Sequence, residues 1–307
     1  MGPEVVRELL ARGHAVTVFN RGSRHPVWDG PVEQIVGDRD EPIELARLSD
    51  LHLDAIVDLS AYLPTQTASL LEIVGDVPRF VHCSTGAVYA PQPTLPWNEA
   101  TPYGPWAAVW GTYAEAKLEC ENILRGSRSP SDETIFLRLP IVLGPLNYVP
   151  REEFVFNRLL DGAEILLPGD GKAVHQFLST RQVGEAFANA LDRPAGVGVI
   201  AYNVAPLDNL TSLEGFVSLC ADTARVESRI RRLGGSSANQ SFDAIDCVFP
   251  FPNENYILDG RAAERDGVAP NADPLNDILS RAFEALTQNS ERRLWSRTQA
   301  ENQYLSA

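Results

Sequence analysis

Lysine is nearly absent: Lys117 and Lys172 are the only two among 26 basic residues in a chain of 307, and the rest are arginine. Cysteine is scarce too. Cys83, Cys120, Cys220 and Cys247 lie far apart, with no Cys-x-x-Cys pair and no histidines at ligand spacing, so reduced thiols and no metal site are expected. Positive charge is in deficit: 41 acidic residues give a formal charge of −15, which repels polyanions and argues against a nucleic-acid partner. No run approaches the roughly 20 apolar residues that cross a bilayer. Met1-Gly2-Pro3-Glu4 has neither a basic nor an apolar leader region, so a cytoplasmic protein with no membrane partner is expected. What remains is 44% hydrophobic and 22% charged, the composition of an ordinary globular protein.

The hydrophobic pattern alternates between two periods. Residues 3–12 carry an apolar stripe with Pro near the start and Gly13 as stop, a helix signature. Short apolar, β-branched runs at 15–19, 32–36, 55–59, 80–84 and 134–138 each end in polar residues, as buried parallel strands end at a ligand-facing edge. Helical spacing lies between them at 43–51, 65–74 and 113–124. This rhythm predicts an α/β fold: a Rossmann-like doubly wound parallel sheet over residues 1–145. Residues 146–307 read mainly as a smaller C-terminal substrate lobe, with 183–205 returning to the sheet. The tail after Gln288 is polar enough to fray.

Tyr113-Ala114-Glu115-Ala116-Lys117 sets a phenol and an ammonium four residues apart on one helix face. With eight tyrosines and two lysines, such a pair arises by chance in about 5% of sequences of this length. A nearby cation favours the phenolate and suits the tyrosine to proton transfer at a carbonyl or carbinol oxygen. Upstream, His82-Cys83-Ser84-Thr85-Gly86-Ala87-Val88-Tyr89 is a strand running into hydroxyl residues and a glycine turn.

In this order, with Leu137-Arg138-Leu139-Pro140 and Leu143-Gly144-Pro145 following, the chain resembles the extended short-chain dehydrogenase/reductase family of NAD-dependent epimerases and dehydratases. Phe19-Asn20-Arg21-Gly22 and Val36-Gly37-Asp38 are closest to an atypical branch. The resemblance spans roughly residues 2–270 and implies an NAD(P)-dependent reductase or epimerase acting on a sugar-like or nucleotide-sugar substrate. It makes Tyr113 the general acid/base, Lys117 its partner and a ribose ligand, and Thr85 the holder of the substrate oxygen. The cofactor would touch Gly2, Asp38, Leu59, Ser60, Ala61, Pro140 and Leu143. Asn20 and Arg21, where an acidic residue would select NAD, lean toward NADP, with Arg24 assisting. Ser84, Trp106, Asn147, His175 and Gln176 are the candidate substrate ligands. A homodimer through residues 65–74 and 113–124 is also implied.

Gly86 and Ala87 stand where a dehydratase of the family carries an acidic pair, so 4,6-dehydration is not expected. One element has no counterpart here: the first strand and glycine-rich turn that lead into the opening helix. Its loss would weaken dinucleotide binding, which leaves a second expectation: a non-catalytic, cofactor-poor member serving as a binding or regulatory protein.

Overall fold

A computed structural model describes residues 1–23, 26–104, 107–145, 147, 149, 151–234, 247–288 and 295–305. Along the chain run α1 (Gly2–Ala11), β1 (Val16–Asn20), β2 (Val32–Val36), α2 (Pro42–Leu45), β3 (Ala55–Asp58), α3 (Pro64–Val74), β4 (Arg79–Thr85) and α4 (Ala107–Ser127). Then come β5 (Glu133–Leu139), β6 (Ile141–Leu143), α5 (Arg151–Leu160), β7 (Ile165–Leu167), β8 (Val174–Ser179), α6 (Thr180–Asp192) and β9 (Gly198–Asn203). The chain closes with β10 (Leu210–Ser212), α7 (Leu213–Ala224), β11 (Ile230–Arg232), α8 (Arg261–Arg265), α9 (Leu275–Gln288) and α10 (Gln299–Leu305).

Strands β3, β4, β5 and β9 form one parallel sheet in that order, with Val57, Val81, Ile135 and Ile200 in register. Side chains alternate across it as the period of two demands. Val81, Ile135 and Leu137 face α1 and α6 in one core, and Phe80 and Phe136 face Leu70 of α3 and Leu124 of α4 in another. The sheet is therefore covered on both faces, the doubly wound arrangement.

Strands β1 and β2 form a separate parallel pair. The outward edges of β1 and β3 carry no strand partner among the described residues, and β1 is half-buried along its length. Both cores nonetheless run past this interruption, with Val16 packed against one and Phe19 and Ile35 against the other.

A third core, built on Phe156, Phe177, Phe216 and Phe251, also takes in Tyr89, Trp97 and Leu143. Residues 295–305 are better anchored than their polarity suggests. Glu301 of α10 is fully buried and ion-pairs with Arg158 of α5 at 2.5 Å, so this charge pair overrides the expectation of fraying. Among the described residues no helix is long and apolar enough to cross a membrane.

Candidate active site

In a parallel sheet the ligand-facing edge is where the strands' C-terminal ends meet, and the sequence-predicted residues divide there into two groups. Thr85 closes β4, and its side-chain oxygen accepts the Ala87 N–H at 3.2 Å. Tyr113 and Lys117 stand on α4 beyond Gly111, whose backbone (φ 57°, ψ −151°) interrupts the helix; only glycine adopts that conformation without strain. The break lets the second part of α4 take its own line, with Tyr113 against Thr85.

Lys117 is buried, and its ammonium donates to Ala61 O at 2.9 Å and Cys83 O at 2.5 Å and meets His82 Nε2 at 3.4 Å. An ammonium has three donors, so all are engaged. His82 is also fully buried, and its Nδ1 has no hydrogen-bond partner. Burial first, and the Lys117 charge second, hold its pKa down to about 3. A neutral imidazole accepting from Lys117 through Nε2 follows.

The phenol of Tyr113 does not show the acidifying shift expected from Lys117. Although Tyr113 is 38% exposed, crowding by the protein around its hydroxyl, with Cys83 and Tyr62 nearby, pushes it above the ordinary tyrosine value, and Thr85 and Arg151 oppose this. The physical reason is the lysine's inward engagement. The Tyr62 ring lies near both groups, 6.1 Å from the Tyr113 ring and 6.0 Å from the Lys117 nitrogen.

The expected cofactor residues gather at neighbouring strand ends. Asn20 ends β1, and its Oδ1 accepts from Gly22 N at 2.8 Å and Gln34 Nε2 at 3.0 Å. Arg21 is exposed and has no ion pair among the described residues. Asp38 follows β2 and caps Asp40 N at 3.1 Å. Leu59, Ser60 and Ala61 follow β3, where buried Asp58 accepts both Ser60 N and Ala61 N. Arg39 ties this turn together by donating to Asp58 at 2.8 Å and to the Ser60 hydroxyl at 2.8 Å. Burial alone would raise Asp58, but the Arg39 hydrogen bond and charge prevail and hold it down to about 2. Gly2 opens α1 beside Leu59, with 4.0 Å from an ideal Cβ to that side chain. Pro140 is buried between β5 and β6.

Several of the expected ligands are turned inward and engaged with the protein itself. Leu143 is fully buried in the core that contains Phe156 and Phe177. Ser84 donates to Glu121 at 2.5 Å and is 3% exposed. His175 is wholly buried on Pro252 O at 2.9 Å, and burial lowers its pKa to about 4. Gln176 braces Ala205 O at 3.0 Å and Pro206 O at 2.8 Å and accepts Leu258 N. The Asn147 amide closes its own loop on Val142 O at 2.6 Å. Trp106 and Arg24 lie outside the described residues.

What the sequence reading missed is the support behind the site. Glu121 falls four residues after Lys117, so Tyr113, Lys117 and Glu121 share one helix face. Fully buried, it receives Ser84, Arg138 at 2.6 Å and Arg125 at 3.2 Å. Burial opposes its ionisation, and the Arg138 hydrogen bonds overcome it, so its pKa lies below the usual value. Arg138 also reaches the Tyr89 hydroxyl at 2.8 Å. Extending the four-residue spacing by one step would have found Glu121; Tyr62 and Tyr256, which also borders Thr85, carry no spacing signal. Among the described residues no cluster of His, Cys, Asp or Glu could hold a metal ion.

Comparison with known proteins gives concordant matches. The model of the NAD dependent epimerase/dehydratase family matches residues 1–205. The chloroplast stem-loop binding protein of 41 kDa b from Arabidopsis thaliana is 26% identical over 230 residues, 70% of this chain and 58% of that protein. The 2'-dehydrokanamycin reductase of Streptomyces kanamyceticus is 27% identical over 208 residues, 66% of this chain and 58% of the reductase. The chain thus spans less than two thirds of the length of these relatives. UDP-glucose 4-epimerase from Bifidobacterium longum, solved with NAD+ and UDP, superposes with a TM-score of 0.75 at 18% identity, over 95% of this chain and 96% of that one.

Proposed function

Because this chain belongs to the NAD dependent epimerase/dehydratase family, we propose that it is an NAD(P)-dependent oxidoreductase acting at a carbonyl or alcohol carbon of a sugar-like or nucleotide-sugar substrate. The observation that carries this is Tyr113 against the Thr85 hydroxyl, with Lys117 one turn along the same helix. The residues present fit a dinucleotide: the turns after β1, β2 and β3 lie at one edge, Arg21 is free of ion pairs among the described residues, and the first turn of α1 stands beside Leu59. Arg21 would take a 2′-phosphate, Asp38 and Ser60 would lie on the adenosine side, and the α1 N-terminus would face the pyrophosphate. When bound, the nicotinamide supplies or takes the hydride.

The chain's own part is proton transfer. Thr85 holds the substrate oxygen, and Tyr113, kept protonated by its raised pKa, gives that oxygen a proton as the carbonyl becomes an alcohol. Lys117 fixes the floor of the site through Ala61 O and Cys83 O. Gly86 and Ala87 can move no proton, which argues against dehydration. One curated relative is named a reductase and the structural neighbour a UDP-glucose epimerase, and both names support a sugar-like substrate.

Calorimetric titration with NADPH and NADH, then a screen of keto-sugars and nucleotide sugars for NADPH oxidation, tests the reading. Binding of neither dinucleotide would favour a non-catalytic binding protein. We further propose a cytoplasmic homodimer through α3 and α4; a monomeric mass by light scattering would count against the pairing.

A further inference from the structure

Among the described residues the sheet of β1 and β2 has no strand pairing with the sheet of β3, β4, β5 and β9, yet one side chain crosses from the first to the second at the ligand-facing edge. Arg39, in the turn after β2, donates to both oxygens of Asp58 at the end of β3, at 2.8 and 3.1 Å. It also donates to the Ser60 hydroxyl at 2.8 Å and to Gln66 O at 3.2 Å. The Asp58 side chain is 3% exposed and that of Arg39 15%. A pair so buried adds little net stability, because desolvation offsets most of its attraction. Its use lies in what the carboxylate holds.

Asp58 Oδ1 also accepts Ser60 N at 3.1 Å and Ala61 N at 3.2 Å, which folds the turn after β3 onto the end of its own strand. The carbonyl of the same Ala61 accepts Lys117 Nζ at 2.9 Å. Ala61 and Lys117 are both buried, so water cannot stand in for either partner. An unbroken line of hydrogen bonds therefore runs from Arg39 to Asp58, from Asp58 to the Ala61 N–H, and from Ala61 O to Lys117. We propose that Asp58, held in place by Arg39, is a positioning residue that sets the Lys117 ammonium through Ala61, and so joins the turn that carries Asp38 to the helix that carries Tyr113. This rests on the reading of Lys117 as part of the active site. In a cleft whose two sides belong to unpaired sheets, the pair fixes the spacing between the adenosine side and the proton-transfer side.

The scarcity of lysine supplies the test. Lysine-selective ¹⁵Nζ and ¹³Cε labelling gives two signals, from Lys117 and from Lys172, whose side chain is 82% exposed and serves as the internal standard. The quantity read is the hydrogen-exchange rate of the Lys117 ammonium, without substrate or cofactor. Two double variants separate charge from geometry. In Arg39→Met with Asp58→Asn, no charge is left unpaired and an oxygen remains for the Ser60 and Ala61 N–H groups, so Lys117 should exchange at the native rate. In Arg39→Met with Asp58→Ala that oxygen is gone, Ala61 is released, and exchange should be about ten-fold faster. Arg39→Met alone strands a buried carboxylate and should speed exchange as well. Equal Lys117 rates in the two double variants overturn the proposal, as does a native rate in Arg39→Met. Neither double variant carries an unpaired buried charge, so their comparison stands even if Arg39→Met does not fold. Since no turnover is required, a protein that fails to bind NAD(P)H sinks the proposed function while the Asp58 reading is still decided at Lys117.

Discussion

Replacing Glu152 with glutamine should make this protein more stable at pH 8 than at pH 5 relative to the native chain. Glu152 is 2% exposed in α5; its Oε1 accepts Gly144 N at 2.6 Å, and its Oε2 has no partner. Burial raises its pKa from 4.5 to about 7. For an acid with a raised folded pKa the neutral form is favoured, so stability is full below the unfolded value of 4.5 and falls as pH rises toward 7. A shift of this size corresponds to about 3 kcal/mol in full, of which about 2.5 kcal/mol develops between pH 5 and 8. Glutamine keeps an oxygen for Gly144 and leaves an unpartnered donor, as the protonated acid does, but it cannot ionise. Urea denaturation of both proteins at pH 5 and 8 gives the four free energies, and groups common to both cancel in the difference. A stability difference between variant and native chain that stays the same at both pH values would refute the reasoning.

Tyr113→Phe should lower turnover of any carbonyl substrate found in the NADPH screen by about 10² to 10⁴-fold with little change in Tm; a smaller loss would move the proton elsewhere. Arg21→Ala should weaken NADPH binding roughly ten-fold and leave NADH binding unchanged, as read by calorimetry; equal losses for both would remove Arg21 from cofactor selection. His82, held down to about 3 from 6.5, is a base with a lowered folded pKa, so its contribution is present above pH 6.5 and is lost as pH falls toward 3. His82→Phe should therefore remove about 1.4 kcal/mol of acid destabilisation per pH unit within that window, measured as denaturation free energy against pH.

The strands were legible because burial on both faces leaves them apolar, and the edge where they end was legible because polar residues must begin there. Residues 32–36 and 65–74 differ from β2 and α3 by one residue at most. The predicted helix at 43–51 is in fact a four-residue α2 followed by a 3-10 turn at Ala46–Leu48, because Leu45 and Leu48 bury into the core three residues apart. The predicted helix at 113–124 lies wholly beyond Gly111, and the stretch of α4 that precedes the break was not read from the sequence. Glu301 shows the limit of reading polarity as solvent exposure: a charge whose partner lies 143 positions away has no local signature.

The site was legible where residues act within one helix or one strand, and illegible where the lobes meet. Tyr113, Lys117 and Thr85 are local patterns, and the spacing that joins the first two reaches Glu121 as well. His175 and Gln176 look like ligands in sequence because polar residues inside an apolar strand demand partners; the backbone of residues 252, 205 and 206 supplies those partners instead. Lys117 makes the same point about charge. Proximity along a helix brings an ammonium within reach of a phenol, but two carbonyls and His82 compete for its three donors, and in this fold they hold all of them. A ligand that draws Lys117 toward Tyr113 must therefore replace one of these acceptors. His82 offers the longest of the three contacts, at 3.4 Å, and is the one whose release leaves no backbone carbonyl unpaired.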